Sequence, residues 1–316
     1  MDVSAIIVNW NTKELLRNCI ASIYEQAGSV NYEIIVIDNA SSDGSCEMVR
    51  SEFPEVILIV EPTNRGYAAA INDGIRIAHG RYVLVLNSDT LICDAAIEKT
   101  VRYADKHPEA AVIGCQVREN PDKVQMTCFQ FPSLLNLFLR SSGLARCFKK
   151  NRFFDREDIR WWQRDSERQV DVVSGMFMLV RHEAIDEVGV MDEDYFLYCE
   201  ETDWCYRFSK AGWKMLFWPG AVILHLGGGG HSSKTKELQL EVQMKKSILL
   251  FFKKHYSTIH YFLARLLLVF YTACRYLEIV LRLFRKTIAR QNVTYELKEK
   301  QKQWVVFKYC AFGLEP

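Results

Sequence analysis

The chain has 316 residues, of which 49% are hydrophobic, enough for one large α/β domain or two smaller ones, each with its own core. That composition excludes disordered, collagen-like and small disulfide-scaffold classes, and a net charge of +1 gives no chain-wide case for binding nucleic acid. The charge is unevenly spread: Lys245 to Pro316 holds 14 basic and 4 acidic residues, +10, against 26 and 35, −9, before it. A basic tail on an acidic body calls for an anionic partner.

In chain order, residues 3–10 (VSAIIVNW) read as a β-branched strand, and Asn11 and Glu14 stand at capping-box spacing ahead of a helix carrying Leu15, Leu16, Cys19 and Ile23. Strands follow at 33–38, 56–60 and 82–87, with helices predicted after Gly44, from about Arg65 to Gly80, and from Asp94. Strands this apolar are expected to be buried on both faces, as in a parallel sheet between helices. Residues 1–117 thus read as the nucleotide-binding half of an α/β domain. Residues 118–170 lose periodicity and are expected to form a substrate-side excursion. Order returns over 170–185, in a helix from Glu200 to Gly212 and in a strand over 214–226, so that 118–231 forms an acceptor and catalytic half ending at the tetraglycine 227–230.

Residues 232–316 are expected to be helical and basic, with segments over about 236–254 and 258–286. The second has Leu266, Phe270, Ala273, Leu277, Val280, Leu281 and Phe284 on one face and Arg275, Glu278, Arg282, Arg285 and Lys286 opposite. Arg265 and Arg275 interrupt a membrane span, so a helix lying in the headgroup plane is preferred over one packed on the body or in a homodimer. The ten cysteines form no Cys-x-x-Cys pair and read as free thiols in a reducing compartment. With no signal-peptide pattern at the start, the expected location is cytoplasmic and peripheral at the inner face of the plasma membrane.

Four clusters carry chemistry. Asp38 ends the second strand, where ligands of open parallel sheets sit; the alternative is a helix cap. Asn64-Arg65-Gly66 with Asn72 opens the helix after the third strand, where glycine allows close backbone approach. Asn87-Ser88-Asp89 follows VLVL, and an acid there is placed to hold a divalent cation against a diphosphate. Glu200-Glu201-Thr202-Asp203 opens a helix beside Tyr195, Phe196 and Tyr198, more acids than a helix dipole asks for. His225 ends a strand, where a core-edge histidine is the plain alternative.

IIVNWN, VIDNASSDGS, NRGYAAAINDGI, VLNSDT and the stretch from VSGMFMLVRHEAI through EETDWCYRF to AVILH together resemble a family-2 glycosyltransferase of GT-A fold, in the bacterial rhamnosyltransferase-like branch. The resemblance covers roughly residues 3–231. It implies that Asp38 contacts the nucleoside, that Asn87-Ser88-Asp89 stands where the family has Asp-x-Asp, and that Asp89 and then His225 bind Mg²⁺ or Mn²⁺. It also implies that Glu201 is the general base, one methylene longer than the family's Asp, with Asp203 in reserve. Asn9, Asn64, Arg65, Gly66, Asn72 and Asn87 complete the expected donor side, and Gly175, Tyr198, Glu200 and Trp204 the acceptor side.

The implied reaction is an inverting transfer from a nucleotide-diphosphate sugar, dTDP-rhamnose being the donor the branch suggests, to a glycan or lipid-linked acceptor. A processive synthase is not expected, because Gln-x-x-Arg-Trp is missing. The other readings are a sugar-phosphate nucleotidyltransferase, whose Gly-rich basic loop VSAIIVNWNTK lacks, and a non-catalytic nucleotide-sugar-binding subunit, against which Asp38, Asp89 and Glu201 argue.

Overall fold

A computed structural model describes residues 1–226 and 237–314. The tetraglycine 227–230 and the expected helix start at 236 lie outside the described residues. The elements are β1 (Val3–Asn9), α1 (Lys13–Gln26), β2 (Tyr32–Asp38), α2 (Ser45–Glu52), β3 (Ile57–Val60), α3 (Tyr67–Ile75), β4 (Tyr82–Asn87), β5 (Thr90–Ile92), α4 (Ala96–Asp105), β6 (Ala110–Asn120), β7 (Lys123–Val124) and β8 (Cys128–Phe129). Then come α5 (Leu134–Ser141), α6 (Leu144–Cys147), β9 (Arg168–Val170), β10 (Val172–Val173), β11 (Phe177–Arg181), α7 (His182–Val188), α8 (Glu200–Lys210), β12 (Lys214–His225), α9 (Glu237–His255), α10 (Thr258–Ile288) and α11 (Thr294–Phe312).

Two compact units divide the chain: residues 1–131 with the stretch from 158 through β12, and residues 132–157 with α9, α10 and α11. The first is built on a mixed sheet of order β3-β2-β1-β4-β11-β6-β12-β5. Strands β3, β2, β1 and β4 run parallel, β11 is antiparallel to both of its neighbours, and β12 is parallel to β6. The period-2 alternation of β1 explains why both faces are covered: Val3, Ala5 and Ile7 pack with Leu16, Ile20 and Val101 on one side, and Ile6 packs with Ile71, Trp204 and Phe208 on the other. Burying each such side chain contributes about 1.5–3 kcal/mol.

Some local expectations change. β3 is the edge strand, and Ile57 and Val60 are exposed rather than buried. Asn11 does not cap α1: it sits at φ +54° and accepts from the Ser42 N–H at 2.8 Å, while Asp43 caps the Lys13 N–H at 2.8 Å from another loop. Helix α3 stops at Ile75, short of Gly80.

In the second unit α10 packs on α5, α9 and α11. Residues 132–157, expected with the catalytic half, belong here because Leu137 and Leu139 of α5 are buried in this unit. No described helix is long and apolar enough to cross a membrane. Helix α10 leaves Leu266, Phe270, Leu277, Leu281 and Phe284 exposed, and it buries Ala264, Leu268, Thr272 and Ile279.

Candidate active site

Parallel register brings the ends of β1, β2 and β4 together, with Asn9 beside Asp38 and Val8 beside Asn87. Asp38 is 1% exposed, and its carboxylate accepts from Asn9 Nδ2 at 2.7 Å and from the Ser41 N–H at 2.8 Å. Asn9 is fully buried, with Nδ2 also donating to Ser41 Oγ and Oδ1 accepting from Thr12 Oγ1 at 2.6 Å. Asn9, expected on the donor side, is therefore a brace for Asp38 and the 39–43 loop. Buried amides and acids hold such loops because each unmet polar group would cost about 1–3 kcal/mol.

At the opposite end of the same sheet edge, β5 pairs antiparallel with β12 and sets His225 against Thr90. Asp89 Oδ1 consequently lies 3.1 Å from His225 Nε2. The other ring nitrogen, Nδ1, lies 2.9 Å from Gln125 Oε1, while Gln125 Nε2 donates to the His225 carbonyl at 3.2 Å. Both ring nitrogens thus face oxygen acceptors, although a neutral imidazole has only one N–H. In the tautomer that donates Nδ1–H to Gln125 Oε1, Nε2 offers its lone pair toward Asp89, a donor set that suits a divalent cation between the two. Among the described residues no group of three or more metal-ligating side chains occurs, so these two side chains would rely on diphosphate oxygens and water for the remaining ligands.

The acids of α8 meet this edge through Tyr67, which the sequence reading passed over. Its hydroxyl donates to Asn87 Oδ1 at 3.1 Å, and a Cβ at Gly175 would sit 3.5 Å from that hydroxyl. Burial, and then the carboxylates of Glu200, Glu201 and Asp89, push the Tyr67 phenol well above its ordinary range and keep it a proton donor. Burial also raises Glu200 well above the usual carboxylate range, Glu201's charge adding to it. Glu201 is raised by burial, against which the backbone N–H groups of 201 and 202 act. The Oε2 atoms of Glu200 and Glu201 are buried and make no hydrogen bond. Such orphaned acceptors are what an incoming hydroxyl satisfies. Tyr198 stands beside both acids, its phenol raised by burial and then by their charges.

What holds the acids is a clasp between α3 and the 189–199 loop. Asn72, fully buried, accepts from the Met191 N–H at 3.0 Å and donates to the Met191 carbonyl at 2.8 Å and to Glu193 at 3.0 Å. In this structure its amide is engaged in positioning the loop. Arg65 turns its guanidinium to Asp73 at 2.7 Å, Glu61 at 3.4 Å and Glu193 at 3.6 Å, and so joins the clasp. Asn64 Oδ1 accepts from the Gly66 N–H and from Asn39, whose own oxygen accepts from the Arg65 N–H. Gly66, at φ +91°, lets the Tyr67 N–H reach the Phe196 carbonyl at 2.8 Å. The loop then enters α8 through Tyr198 and Cys199, at φ +67° and +65°.

Two further assignments change. Trp204 is fully buried and donates from Nε1 to the Gly189 carbonyl at 2.8 Å, so it is core rather than an acceptor platform. Asp203, the reserve base, is 1% exposed and paired with Arg207 at 2.8 Å. Glu200, Asp203, Trp204 and Phe208 share the buried face of α8, and their i, i+3, i+4, i+8 spacing was the available signal.

Against known proteins, residues 4–189 match the model described as glycosyl transferase family 2. The chain is 30% identical to an N-acetylglucosaminyl-diphospho-decaprenol L-rhamnosyltransferase of Mycobacterium tuberculosis, over 61% of this chain and 66% of that protein. It is 27% identical to a poly-beta-1,6-N-acetyl-D-glucosamine synthase of Staphylococcus epidermidis, over 78% of this chain and 61% of the other. The chain thus spans under two-thirds of the length of these relatives. In fold it is similar to a mannosyltransferase of Pyrobaculum calidifontis solved with GDP-Man and Mn²⁺, with TM-score 0.57, 17% identity and coverage of 98% of this chain and 85% of the other. TarS 1-349 of S. aureus gives TM-score 0.50 at 12% identity, over 99% of this chain and 92% of the other. A family match across more than half of the chain, on a mixed sheet of this topology, means that the chain belongs to glycosyl transferase family 2.

Proposed function

We propose that the chain transfers a sugar, with inversion, from a nucleoside-diphosphate donor such as dTDP-rhamnose to a hydroxyl of a glycan carried on a lipid diphosphate. The observation that carries this reading is that Tyr67, whose hydroxyl donates to Asn87 at 3.1 Å, is near enough to Asp89, Glu200 and Glu201 for their charges to bear on its phenol, which gathers the expected leaving-group acid and the expected base around one side chain. The named activity of the mycobacterial relative supports the donor and acceptor classes.

In this reading Glu201 accepts the acceptor hydroxyl's proton as that oxygen bonds to the anomeric carbon and the bond to the diphosphate breaks on the opposite face. Its affinity for protons, raised by burial, suits a group that takes up a proton. Glu200, whose carboxyl is pushed well above the usual carboxylate range by burial and then by the charge of Glu201, favours holding its proton, which limits the negative charge beside the base. Asp38 faces the nucleoside, and Tyr67 fixes Asn87 beside the diphosphate. Asp89 and His225 would hold Mg²⁺ or Mn²⁺, which when bound neutralises charge on the departing diphosphate. The second unit docks at the inner leaflet through the exposed stripe of α10, which keeps the chain at the surface where a lipid-linked acceptor resides.

The test is a panel of nucleotide sugars with an N-acetylglucosaminyl-diphospho-lipid acceptor, with and without Mn²⁺, read as nucleoside-diphosphate release and as the anomeric configuration of the product. Release from one donor only, metal dependence and inversion are expected. Retention of configuration, or full turnover in excess chelator, would overturn the mechanism.

A further inference from the structure

In the second unit, Leu134, Leu135 and Phe138 of α5 face Leu263, Leu266 and Phe270 of α10 across an open groove of about 510 Å³ lined by apolar side chains. Further along, Arg146 of α6 lies 3.8 Å from Glu278, so the chain after α5 continues beside α10. It then presents Phe148-Lys149-Lys150-Asn151-Arg152-Phe153. Phe148 is 49% and Phe153 54% exposed, and Lys149, Lys150 and Arg152 are exposed with them. The two rings are not loose: Phe148 stacks on Phe154 at 4.7 Å, and Phe153 meets the same ring edge-on at 5.3 Å.

Two exposed phenylalanines held against Phe154, with the exposed Lys149 and Lys150 between them, suit an apolar partner that is also anionic. The charge of this unit points the same way. Residues 132–157 and 235–316 hold 21 basic and 8 acidic side chains, a net +13, against 19 and 31, −12, in the rest of the chain. A second copy meeting this face with its own like face would bring +13 against +13, whereas a bilayer with anionic headgroups offers both the hydrocarbon and the opposite charge.

We propose that residues 148–153 are a second lipid-contact element of this unit, with Phe148 and Phe153 entering the headgroup region of an anionic bilayer and Lys149 and Lys150 meeting lipid phosphate. The proposal rests on the membrane reading of α10 and adds a separate element to it, one that sets how the unit is rolled about the helix axis. Basic side chains at such a surface contribute about 1 kcal/mol each, and each phenylalanine adds its buried area.

The experiment is co-sedimentation of the full chain with phosphatidylcholine vesicles, with and without one-third phosphatidylglycerol, thermal melting being used to check that each variant is folded. Lys149→Ala with Lys150→Ala is expected to weaken binding to the anionic vesicles about 30-fold. Phe148→Ser with Phe153→Ser is expected to weaken it on the order of tenfold while the salt dependence persists. Leu266→Glu with Phe270→Glu tests the α10 reading by itself. If that variant releases the protein while both loop variants bind like the wild type, the loop proposal falls and the membrane reading stands. A wild type that ignores anionic vesicles overturns both. Loop variants that turn a dimer into a monomer without changing lipid binding also overturn the proposal, in favour of self-association.

Discussion

Replacing Gly66 by Ala tests how tightly α3 and the catalytic loop are joined. Gly66 sits at φ +91°, ψ 176°, a region open in practice to glycine alone, and an added Cβ would lie 2.5 Å from the Phe196 carbonyl oxygen and 2.8 Å from its ring. The strain costs about 1–3 kcal/mol, and loss of the Tyr67 N–H to Phe196 hydrogen bond about 0.5–1.5 more. For a catalytic unit of this size a loss of about 2–4 kcal/mol lowers the melting temperature by roughly 4–16 °C. Gly212 is the control: at φ +95° it has the same handedness, but nothing lies within 4 Å of its Cβ position. Gly212→Ala should therefore cost only the backbone term, about 1–2 kcal/mol, and leave turnover intact. Gly66→Ala should also lower kcat by at least tenfold, because the displaced Phe196 lies in the loop that delivers Glu200 and Glu201. Melting curves and steady-state rates for the two variants decide the matter. If they melt together and turn over alike, the clasp has no hold on the acids.

Further expectations concern the acids and the cation site. Asp89→Ala should abolish transfer, and His225→Ala should raise the Mn²⁺ concentration needed for half activity; overlapping metal titrations for His225→Ala and wild type would make the ring a plain part of the sheet edge. Glu201→Gln should lower kcat by about 10²-fold or more with nucleotide binding retained, and a larger loss at Glu200 would move the base there. Asp203→Asn breaks the buried pair with Arg207 and should show first as about 3–5 kcal/mol of lost stability. The raised carboxyl of Glu200 binds its proton more tightly in the folded chain than in the unfolded one, so its contribution is complete below the ordinary value of 4.5 and fades as pH climbs toward the elevated folded value. Glu200→Gln should accordingly raise the melting temperature at pH 7 and flatten its decline as pH rises above 4.5; an unchanged slope would refute the assignment.

The sheet was largely legible because hydrophobic runs of β1, β2 and β4 end at polar residues, and in a parallel sheet those ends share an edge. Asp89 and His225, 136 positions apart, could be linked only through the family resemblance. The three-residue strand β5 that joins them is too short to leave a periodic signal. Tyr67 was missed because it follows a glycine inside an alanine-rich helix and looks like packing. Gln125 lies in an aperiodic stretch that gives no hint of orienting a ring 100 residues away. Asn9, Asn72 and Arg65 were read as ligands because polar residues near strand ends invite that reading. The structure adds the partners that the sequence does not show: Asp38 for Asn9, Met191 for Asn72 and Asp73 for Arg65. The 132–157 segment was misassigned for a related reason: its partner helix lies more than a hundred residues downstream.

The left-handed pair at Tyr198 and Cys199 sets a limit on engineering for heat resistance. An obvious stabilising substitution replaces Cys199, at φ +65°, with glycine, which relieves the side-chain strain of that conformation. The same strain keeps the entry to α8 stiff, so that the two acids begin the helix in one orientation instead of sampling several. A glycine there exchanges a rigid approach for a swivel, and the variant that survives heating best would be the one whose base spends the least time where the acceptor arrives.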